Sequence, residues 1–153
     1  MRCGHVCTKD VQLAPLRAPA RDAAQLMARW NVGTLVVIDE TERPIGLVTD
    51  RDLVLRVLAT GEDPDEVPVE TLMTRFPTTI GYGDSVEVAL EVMRTEHIRR
   101  LPVVREDGSL VGILTLDDVM SVLVDELSAV QEVVEASSPR ARPLRRPEPG
   151  QGM

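Results

Sequence analysis

The sequence predicts an α/β fold of two similar halves, on the evidence of an internal repeat, of the hydrophobic pattern in each copy and of the chain length. Shifted by 66 positions without a gap, residues 45–49 (Ile-Gly-Leu-Val-Thr) fall on residues 111–115 (Val-Gly-Ile-Leu-Thr). The apolar pattern agrees over about residues 6–56 against 72–122. One offset that matches over this length indicates a duplication. A chain of 153 residues suits two small halves that share a core.

Each copy is predicted to follow the order strand, helix, strand, strand, helix. Apolar residues at helical spacing indicate the helices, short apolar runs on either side of a turn indicate strands, and Asp84 or Ser85 can cap a helix. The predicted elements are a helix over 20–31, strands near 34–38 and 44–48 and a helix over 50–60 in the first copy, and a strand over 77–80, a helix over 86–98, strands over 101–104 and 110–114 and a helix from about Thr115 in the second.

Composition and spacing divide the chain further. The copies are assigned to residues 1–61 and 72–126, an acidic linker to 62–71, a helix extension to 127–136, and a flexible tail rich in Pro, Arg, Gly and Ser to 137–153. The last helix has a heptad-like seam made of Leu116, Met120, Leu123, Leu127, Val130 and Val134. Residues up to Leu123 are expected to pack in the core, and those after Asp125 need another partner. A solvated role is expected for the tail residues Arg140, Arg142, Arg145 and Arg146.

The charge balance and the absence of long apolar runs exclude several classes of protein. The chain has 25 acidic and 17 basic residues and a net charge of −8, which argues against a general nucleic-acid binder because such a protein needs a basic face. No run approaches the ~20 apolar residues that span a bilayer, and the first five residues lack the apolar core of a signal peptide. Two cysteines do not make a disulfide framework. The chain is therefore expected to be cytoplasmic.

The sequence Gly-x-x-Thr-x-x-Asp occurs at residues 46–52 and again at residues 112–118. At each occurrence the chain leaves a buried strand and enters a helix, whose free N–H groups and positive dipole end suit an anion. The carboxylate can accept hydrogen bonds from the paired hydroxyls of a ribose. Thr-x-x-Asp at a helix start is also the pattern of a capping box, so capping and ligand binding both remain open.

The order of elements, the two Gly-x-x-Thr-x-x-Asp sequences and residues 97–103 (His-Ile-Arg-Arg-Leu-Pro-Val) resemble a tandem pair of CBS motifs, often called a Bateman module. The resemblance covers about residues 6–125. It implies two pseudo-symmetric motifs that pack through their sheets. It also implies two clefts that bind adenosine-containing ligands, in which the Asp contacts the ribose and the Thr lies near the ribose and phosphate.

The resemblance assigns the residues of each cleft, because the signature of one motif is combined with the segment that precedes the first helix of the other. The Thr115 cleft would comprise Thr115, Asp118, Arg99, Thr8, Asp10, Val11 and Gln12, and the Thr49 cleft would comprise Thr49, Asp52, Arg51, Thr74, Phe76, Pro77 and Thr78. Arg99 is expected to reach the phosphates. Its counterpart in the repeat is Gly33, so the Thr49 cleft is expected to be the weaker one, with Arg51 as partial compensation.

The sequence thus favours a regulatory sensor that reversibly binds AMP, ADP or ATP. No catalytic motif is present, so no enzymatic activity, cofactor or metal site is expected. The expected partners are an adenine nucleotide, a second copy in a homodimer and an unidentified regulated protein, but neither nucleic acid nor a membrane. One alternative is a ligand-free interaction or oligomerisation module. A weaker alternative is a thiol or metal sensor at Cys3, His5 and Cys7, although an exposed terminus is expected there.

Overall fold

The computed structural model describes residues 1–138, which fall into a compact unit from Met1 to Met120 and a second unit that begins at Ser121. A π-helical turn, Val54–Leu58, follows the short helix Asp50–Leu53. The helices are α1 (Cys3–Val6), α2 (Ala20–Trp30), α3 (Asp50–Leu53), α4 (Val69–Leu72), α5 (Val86–Glu96) and α6 (Leu116–Ser137), and the strands are β1 (Thr34–Ile38), β2 (Pro44–Thr49), β3 (Thr74–Arg75), β4 (Ile80–Gly81), β5 (Arg100–Val104) and β6 (Leu110–Thr115).

The predicted duplication is confirmed element by element. α1 and α4, α2 and α5, β1 and β5, and β2 and β6 are each separated by 66 positions. The left-handed residues that end α2 and α5, Asn31 and His97, have the same separation. The repeat therefore extends to α1, which lies before the part of the repeat that the sequence indicated.

The first unit contains two three-stranded sheets, in the orders β1-β2-β3 and β4-β5-β6. β3 follows the first copy in the chain but pairs with its strand β2, where Thr74 lies opposite Leu47. In the same way Thr8 bridges Ile113 of β6. Each copy therefore sends the segment between its first two helices to the sheet of the other copy, and this exchange brings that segment beside the other copy's signature.

The two sheets pack against each other through apolar side chains. Val36 of β1 and Leu47 of β2 form a buried cluster with Ile113 of β6, and Val11, Ile38 and Leu110 pack around it. The remaining cores lie between each sheet and its helices. This arrangement confirms the predicted fold class of two pseudo-symmetric α/β halves packed through their sheets, followed by a long C-terminal helix.

The amino-terminal segment differs from its prediction. Cys3 and Cys7 are buried in the core of the second sheet, with Ile80, Val86 and Leu101 among their neighbours. Backbone hydrogen bonds from Cys3 N–H to Asp84 O (2.8 Å) and from Gly4 N–H to Tyr82 O (3.0 Å) tie α1 to the second copy. The expectation of a solvent-exposed terminus is wrong because Cys3 and Cys7 fill the positions that Val69, in α4, and Met73, directly after it, fill in the other core.

Two local elements also differ from the predicted ones, and one of the two predicted caps of α5 is confirmed. The end of the predicted linker, 62–71, is the start of helix α4, because Val69 and Leu72 are buried. The strand predicted over 77–80 is the shorter β4, preceded by β3 and by Phe76 in a left-handed conformation (φ 47°) that interrupts the extended chain. Ser85 caps α5, whereas the Asp84 carboxylate accepts a hydrogen bond from Gly81 N–H (2.8 Å).

Helix α6 has 22 residues, and Val119 is its only described buried residue. Leu116 packs against the core as predicted, but Met120 is 55% exposed and Leu123 is 48% exposed, so the prediction that the seam packs in the core as far as Leu123 is wrong for these two residues. The helix ends at Ser137, one residue beyond the predicted extension, and the four tail arginines lie outside the described residues. Among residues 1–138, no helix is long and apolar enough to cross a membrane.

Candidate functional site

The two signature sequences lie where β2 meets α3 and where β6 meets α6. Thr49 N–H donates to Asp52 Oδ2 (2.8 Å), and Asp52 N–H donates to Thr49 Oγ1 (3.2 Å). The corresponding distances at Thr115 and Asp118 are 2.8 and 3.1 Å. Both pairs therefore form reciprocal capping boxes, as one of the two sequence interpretations requires.

A cavity of about 370 Å³ opens beside the capping box of α6. From the residues predicted for the Thr115 cleft, it brings together Thr115, Arg99, Thr8, Asp10, Val11 and Gln12. Asp118 lies next to them, since the Thr8 hydroxyl donates to Asp118 Oδ1 at 3.3 Å. The sequence did not indicate the remaining wall, which is Val32, Gly33, Thr34, Arg100, Ile113, Leu116 and Asp117.

A second cavity, of about 530 Å³, opens beside the capping box of α3. It is lined by Thr49, Arg51, Thr74, Phe76, Pro77 and Thr78, all predicted for the Thr49 cleft. Asp52 belongs to the capping box of α3 beside this cavity, and Arg56 Nε lies 3.9 Å from the Asp52 carboxylate. The further lining residues are Leu47, Asp50, Glu96, His97, Ile98, Arg99 and Arg100.

The two cavities are related by the repeat, although several equivalent positions differ in charge. Val32, Gly33 and Thr34 in the Thr115 cleft correspond to Ile98, Arg99 and Arg100 in the Thr49 cleft. Arg99 and Arg100 line both cavities. The expectation that Gly33 leaves the Thr49 cleft without this cation is therefore wrong: the segment before β1 faces the Thr115 cleft, and the segment before β5 reaches the Thr49 cleft. The alignment of the two copies could not show that Arg99 lines both cavities, because it pairs equivalent residues and does not show which segments of the two copies lie next to each other.

The chemistry of both clefts suits a ligand with an anionic group and several hydroxyls. Each cleft has a helix N-terminus, a threonine hydroxyl and guanidinium groups, which bind oxyanions well. Arg51 adds a third arginine to the Thr49 cleft, whereas Asp117 occupies the equivalent position in the Thr115 cleft and lies 3.9 Å from Arg99 Nη2. The carboxylates of Asp52 and Asp118 use Oδ2 for the capping hydrogen bond, and a carboxylate has further lone pairs that can accept from hydroxyl donors.

The cysteine group has a different character. Burial, together with the nearby negative charge of Asp84, raises the pKa of the Cys3 thiol to about 11. Burial also raises the pKa of Cys7. The thiolate is the reactive and metal-binding form, so this environment disfavours thiol or metal chemistry. His5 packs edge-on against Tyr82 with ring centroids 5.6 Å apart, and no cluster of three potential metal ligands occurs within residues 1–138.

Comparison with known families agrees with this architecture. The model of the CBS domain matches residues 3–59 and again residues 69–125, which together make up most of the chain. The chain belongs to the CBS-domain family. The second CBS motif therefore starts at α4, in agreement with the packing of Val69 and Leu72, and the first starts at α1.

Relatives of this CBS pair are known from sequence and from structure. A Methanopyrus kandleri protein, MK0525, is 33% identical over 84% of this chain and 66% of its own length. The structure of CBS domain protein PAE2072 from Pyrobaculum aerophilum, complexed with AMP, is 33% identical and covers 77% of this chain and 89% of its own, with a TM-score of 0.70. Hypoxic Response Protein I, whose crystal structure has two coordinated zinc ions, is 29% identical over 79% of this chain and 98% of its own, also with a TM-score of 0.70.

Proposed function

We propose that this CBS pair is a regulatory sensor that reversibly binds an adenosine-containing nucleotide, such as AMP, ADP or ATP, in the Thr115 and Thr49 clefts. The observation that carries the proposal is that all the residues expected for each cleft except its signature aspartate line one cavity at a helix N-terminus, and that this aspartate belongs to the capping box beside the cavity. The AMP complex of PAE2072, a protein similar to this chain over most of its length, supports the choice of ligand class.

The size of the cavities suits such a ligand. Volumes of about 370 and 530 Å³ fall within the range of roughly 300–1,000 Å³ that is usual for small-molecule sites. The apolar walls, Val11 with Val32 in one cleft and Pro77 with Ile98 in the other, can hold the flat face of a base. The arginines and the helix N-terminus can hold the phosphate.

The proposal gives the capping boxes a second role. In each cleft the Asp carboxylate accepts a hydrogen bond from the Thr N–H of its own capping box. A ribose that donates to the same carboxylate stiffens the junction between a strand and a helix. Helix α6 begins directly after Thr115 and is 22 residues long. It can therefore transmit the stiffening of the junction at Thr115 to a partner.

Binding of nucleotides tests the proposal directly. Isothermal titration calorimetry and thermal unfolding are measured with AMP, ADP, ATP, adenosine and GMP. We expect adenine nucleotides to bind and to raise the melting temperature, because a ligand that binds only the folded state stabilises it, and GMP to bind more weakly. No heat and no thermal shift with any adenosine compound at millimolar concentration would reject the proposed function.

A second candidate function is that of an interaction module, which one observation favours. Large apolar side chains are exposed at equivalent places in the repeat, Val54 and Leu58 in the first motif and Met120 and Val124 in the second. Exposed apolar patches commonly mark interfaces. We propose that these side chains contribute to a homodimer, which is compatible with nucleotide binding in the clefts.

A further inference from the structure

Arg99 occupies an unusual position between the two clefts. It lines the cavity at Thr115 and also the cavity at Thr49. Its side chain is 72% exposed, and its one described ion pair, with Asp117, is long at 3.9 Å. Arg100 also lines both cavities, but it lies within β5 and is half-buried. Arg99 is therefore the arginine that has the freedom to turn toward either cleft.

Only one of the two motifs has an arginine at this position of the repeat. Its counterpart in the first motif is Gly33, which lines the Thr115 cleft without contributing a charge. A pair with an arginine at both positions would have one such cation for each cleft. Here the two clefts share the single arginine at this repeat position, beside Arg100, which lines both, and Arg51, which lines the Thr49 cleft alone. Guanidinium is the side chain best suited to phosphate oxygens.

We propose that the two clefts compete for Arg99, so that a phosphorylated nucleotide bound in one cleft draws this side chain away from the other and the second nucleotide binds more weakly. This inference rests on the proposed nucleotide-binding function. It requires no movement of the backbone, because only the exposed Arg99 side chain changes its partner. Nucleosides have no phosphate, so adenosine should bind to the two clefts independently.

The experiment follows the two clefts separately. Calorimetry gives the two binding constants for AMP and for adenosine, and amide NMR signals of Gln12 and Thr78, which lie at equivalent positions in the two clefts, show where the ligand binds. In the wild-type chain we expect the second AMP to bind at least about tenfold more weakly than the first, as the loss of a charge-assisted hydrogen bond predicts. Adenosine should show no such difference.

Two variants identify the cause. Arg99→Ala should weaken AMP binding at both clefts at low occupancy, leave adenosine binding unchanged and remove the gap between the first and the second AMP. Gly33→Arg, which supplies the missing cation, should strengthen the second step toward the first. A Cβ on Gly33 would lie 3.1 Å from Asp50 Oδ2, at the end of an exposed side chain, so Gly33→Ala controls for steric effects. Arg94→Ala, whose arginine pairs with Glu91 outside both cavities, should change nothing.

The other outcomes are equally decisive. If Arg99→Ala weakens AMP at only one cleft, or if AMP occupies only one cleft, Arg99 is not shared. If the gap persists in Arg99→Ala, repulsion between the two phosphates or a fixed difference between the clefts causes it. Equal and independent binding of two AMP molecules also overturns the inference. A wild-type chain that binds no AMP instead rejects the proposed function itself.

Discussion

The aspartates of the two signatures can serve both stability and recognition. Asp52 and Asp118 each accept from the Thr backbone N–H three positions earlier and donate their own N–H to the Thr hydroxyl. The local sequence could not separate capping from ligand binding because a capping box and a ribose site need the same carboxylate at the same helix start. A variant of the aspartate can separate the two roles, because the loss of a cap lowers stability, whereas the loss of a ligand contact lowers affinity.

Replacement of Asp118 tests this dual role. Asp118→Ala should lower the free energy of unfolding by about 1 kcal/mol through the lost cap and weaken AMP binding roughly ten- to hundredfold through the lost charge-assisted contact. Urea unfolding and calorimetry measure the two effects. Ser85→Ala is the matched control, because Ser85 accepts from Val88 N–H at the start of α5 (3.3 Å) and lies outside both cavities. If both variants leave AMP affinity unchanged, Asp118 is a cap and not a ligand contact.

The equivalent replacement in the Thr49 cleft tests the role of Asp52. Asp52→Ala should also weaken AMP binding, and site-resolved NMR should place its effect at Thr78. Since Arg99 and Arg100 line both cavities, the arginine content no longer ranks the Thr115 cleft above the Thr49 cleft as the repeat alignment did. An Asp52→Ala effect reported at Gln12 alone would contradict the assignment of Asp52 to this cleft.

The buried thiol of Cys3 predicts an alkaline loss of stability. Burial raises the folded-state pKa of Cys3 from 9.0 to about 11. Between these values the unfolded chain loses the proton and the folded chain keeps it, so stability falls as the pH rises from about 9 to about 11. Cys3→Val, which introduces the residue found at the equivalent position 69, should stay within about 1.5 kcal/mol of wild type at pH 7. Its loss of stability between pH 9 and 11 should be smaller. Urea unfolding at each pH measures both, and equal losses in both chains would contradict this assignment.

At the scale of elements, two glycines allow the exchange of segments between the motifs. A Cβ on Gly112 of β6 would overlap the Thr8 carbonyl oxygen, whereas a Cβ on Gly46 of β2 would overlap the Met73 side chain. A side chain can move aside, but the backbone of Thr8 is held by hydrogen bonds to Ile113 in both directions, each 2.9 Å long. A side chain at this glycine position is therefore expected to be tolerated less well in the second motif than in the first.

The glycine difference gives a prediction about stability. Gly112→Ala should destabilise the chain by about 1–3 kcal/mol, as overpacking does, and should weaken AMP binding because Thr8 and Asp10 form a wall of the Thr115 cleft. Gly46→Ala should cost less and should spare that cleft. Chemical unfolding and calorimetry of the two variants make the comparison. A larger loss in Gly46→Ala would show that the Met73 side chain is held more firmly than the backbone of Thr8.

Much of the fold could be predicted from the sequence because its main strands are short, continuous apolar runs at a constant offset. The helices α2 and α5 follow from apolar residues at helical spacing. Helix α1 could not be predicted, since the four residues Cys-Gly-His-Val are too short for a periodic pattern and the burial of Cys3 depends on contacts with residues far along the chain. The sharing of Arg99 was missed for a similar reason: it depends on which segments meet across the two sheets.

At the scale of the whole molecule, helix α6 exposes an apolar face that a second copy can cover. Leu127, Val130 and Val134 continue the heptad seam and are all exposed, as is the neighbouring Val133. Asp125 and Glu132 share one side of the helix, because seven residues make almost two turns. Asp125 is two residues from Leu127, which is a little more than half a turn, so this side is opposite the seam. A second copy can therefore pack against the seam without bringing these carboxylates together.

The homodimer is tested by its dependence on this face. Burying three such side chains per subunit contributes about 4–9 kcal/mol before the costs of association, so we expect a dimer at micromolar concentration. A chain truncated after Asp125 should dimerise more weakly by analytical ultracentrifugation. Leu127→Asp should have the same effect in the full chain, while Glu132→Lys on the opposite side should not. A truncated chain that dimerises as strongly as the full chain would place the interface on Val54, Leu58 and their counterparts in the second motif. A full-length chain that sediments as a monomer at micromolar concentration would contradict the dimer altogether, because the exposed seam would then have no second copy to cover it.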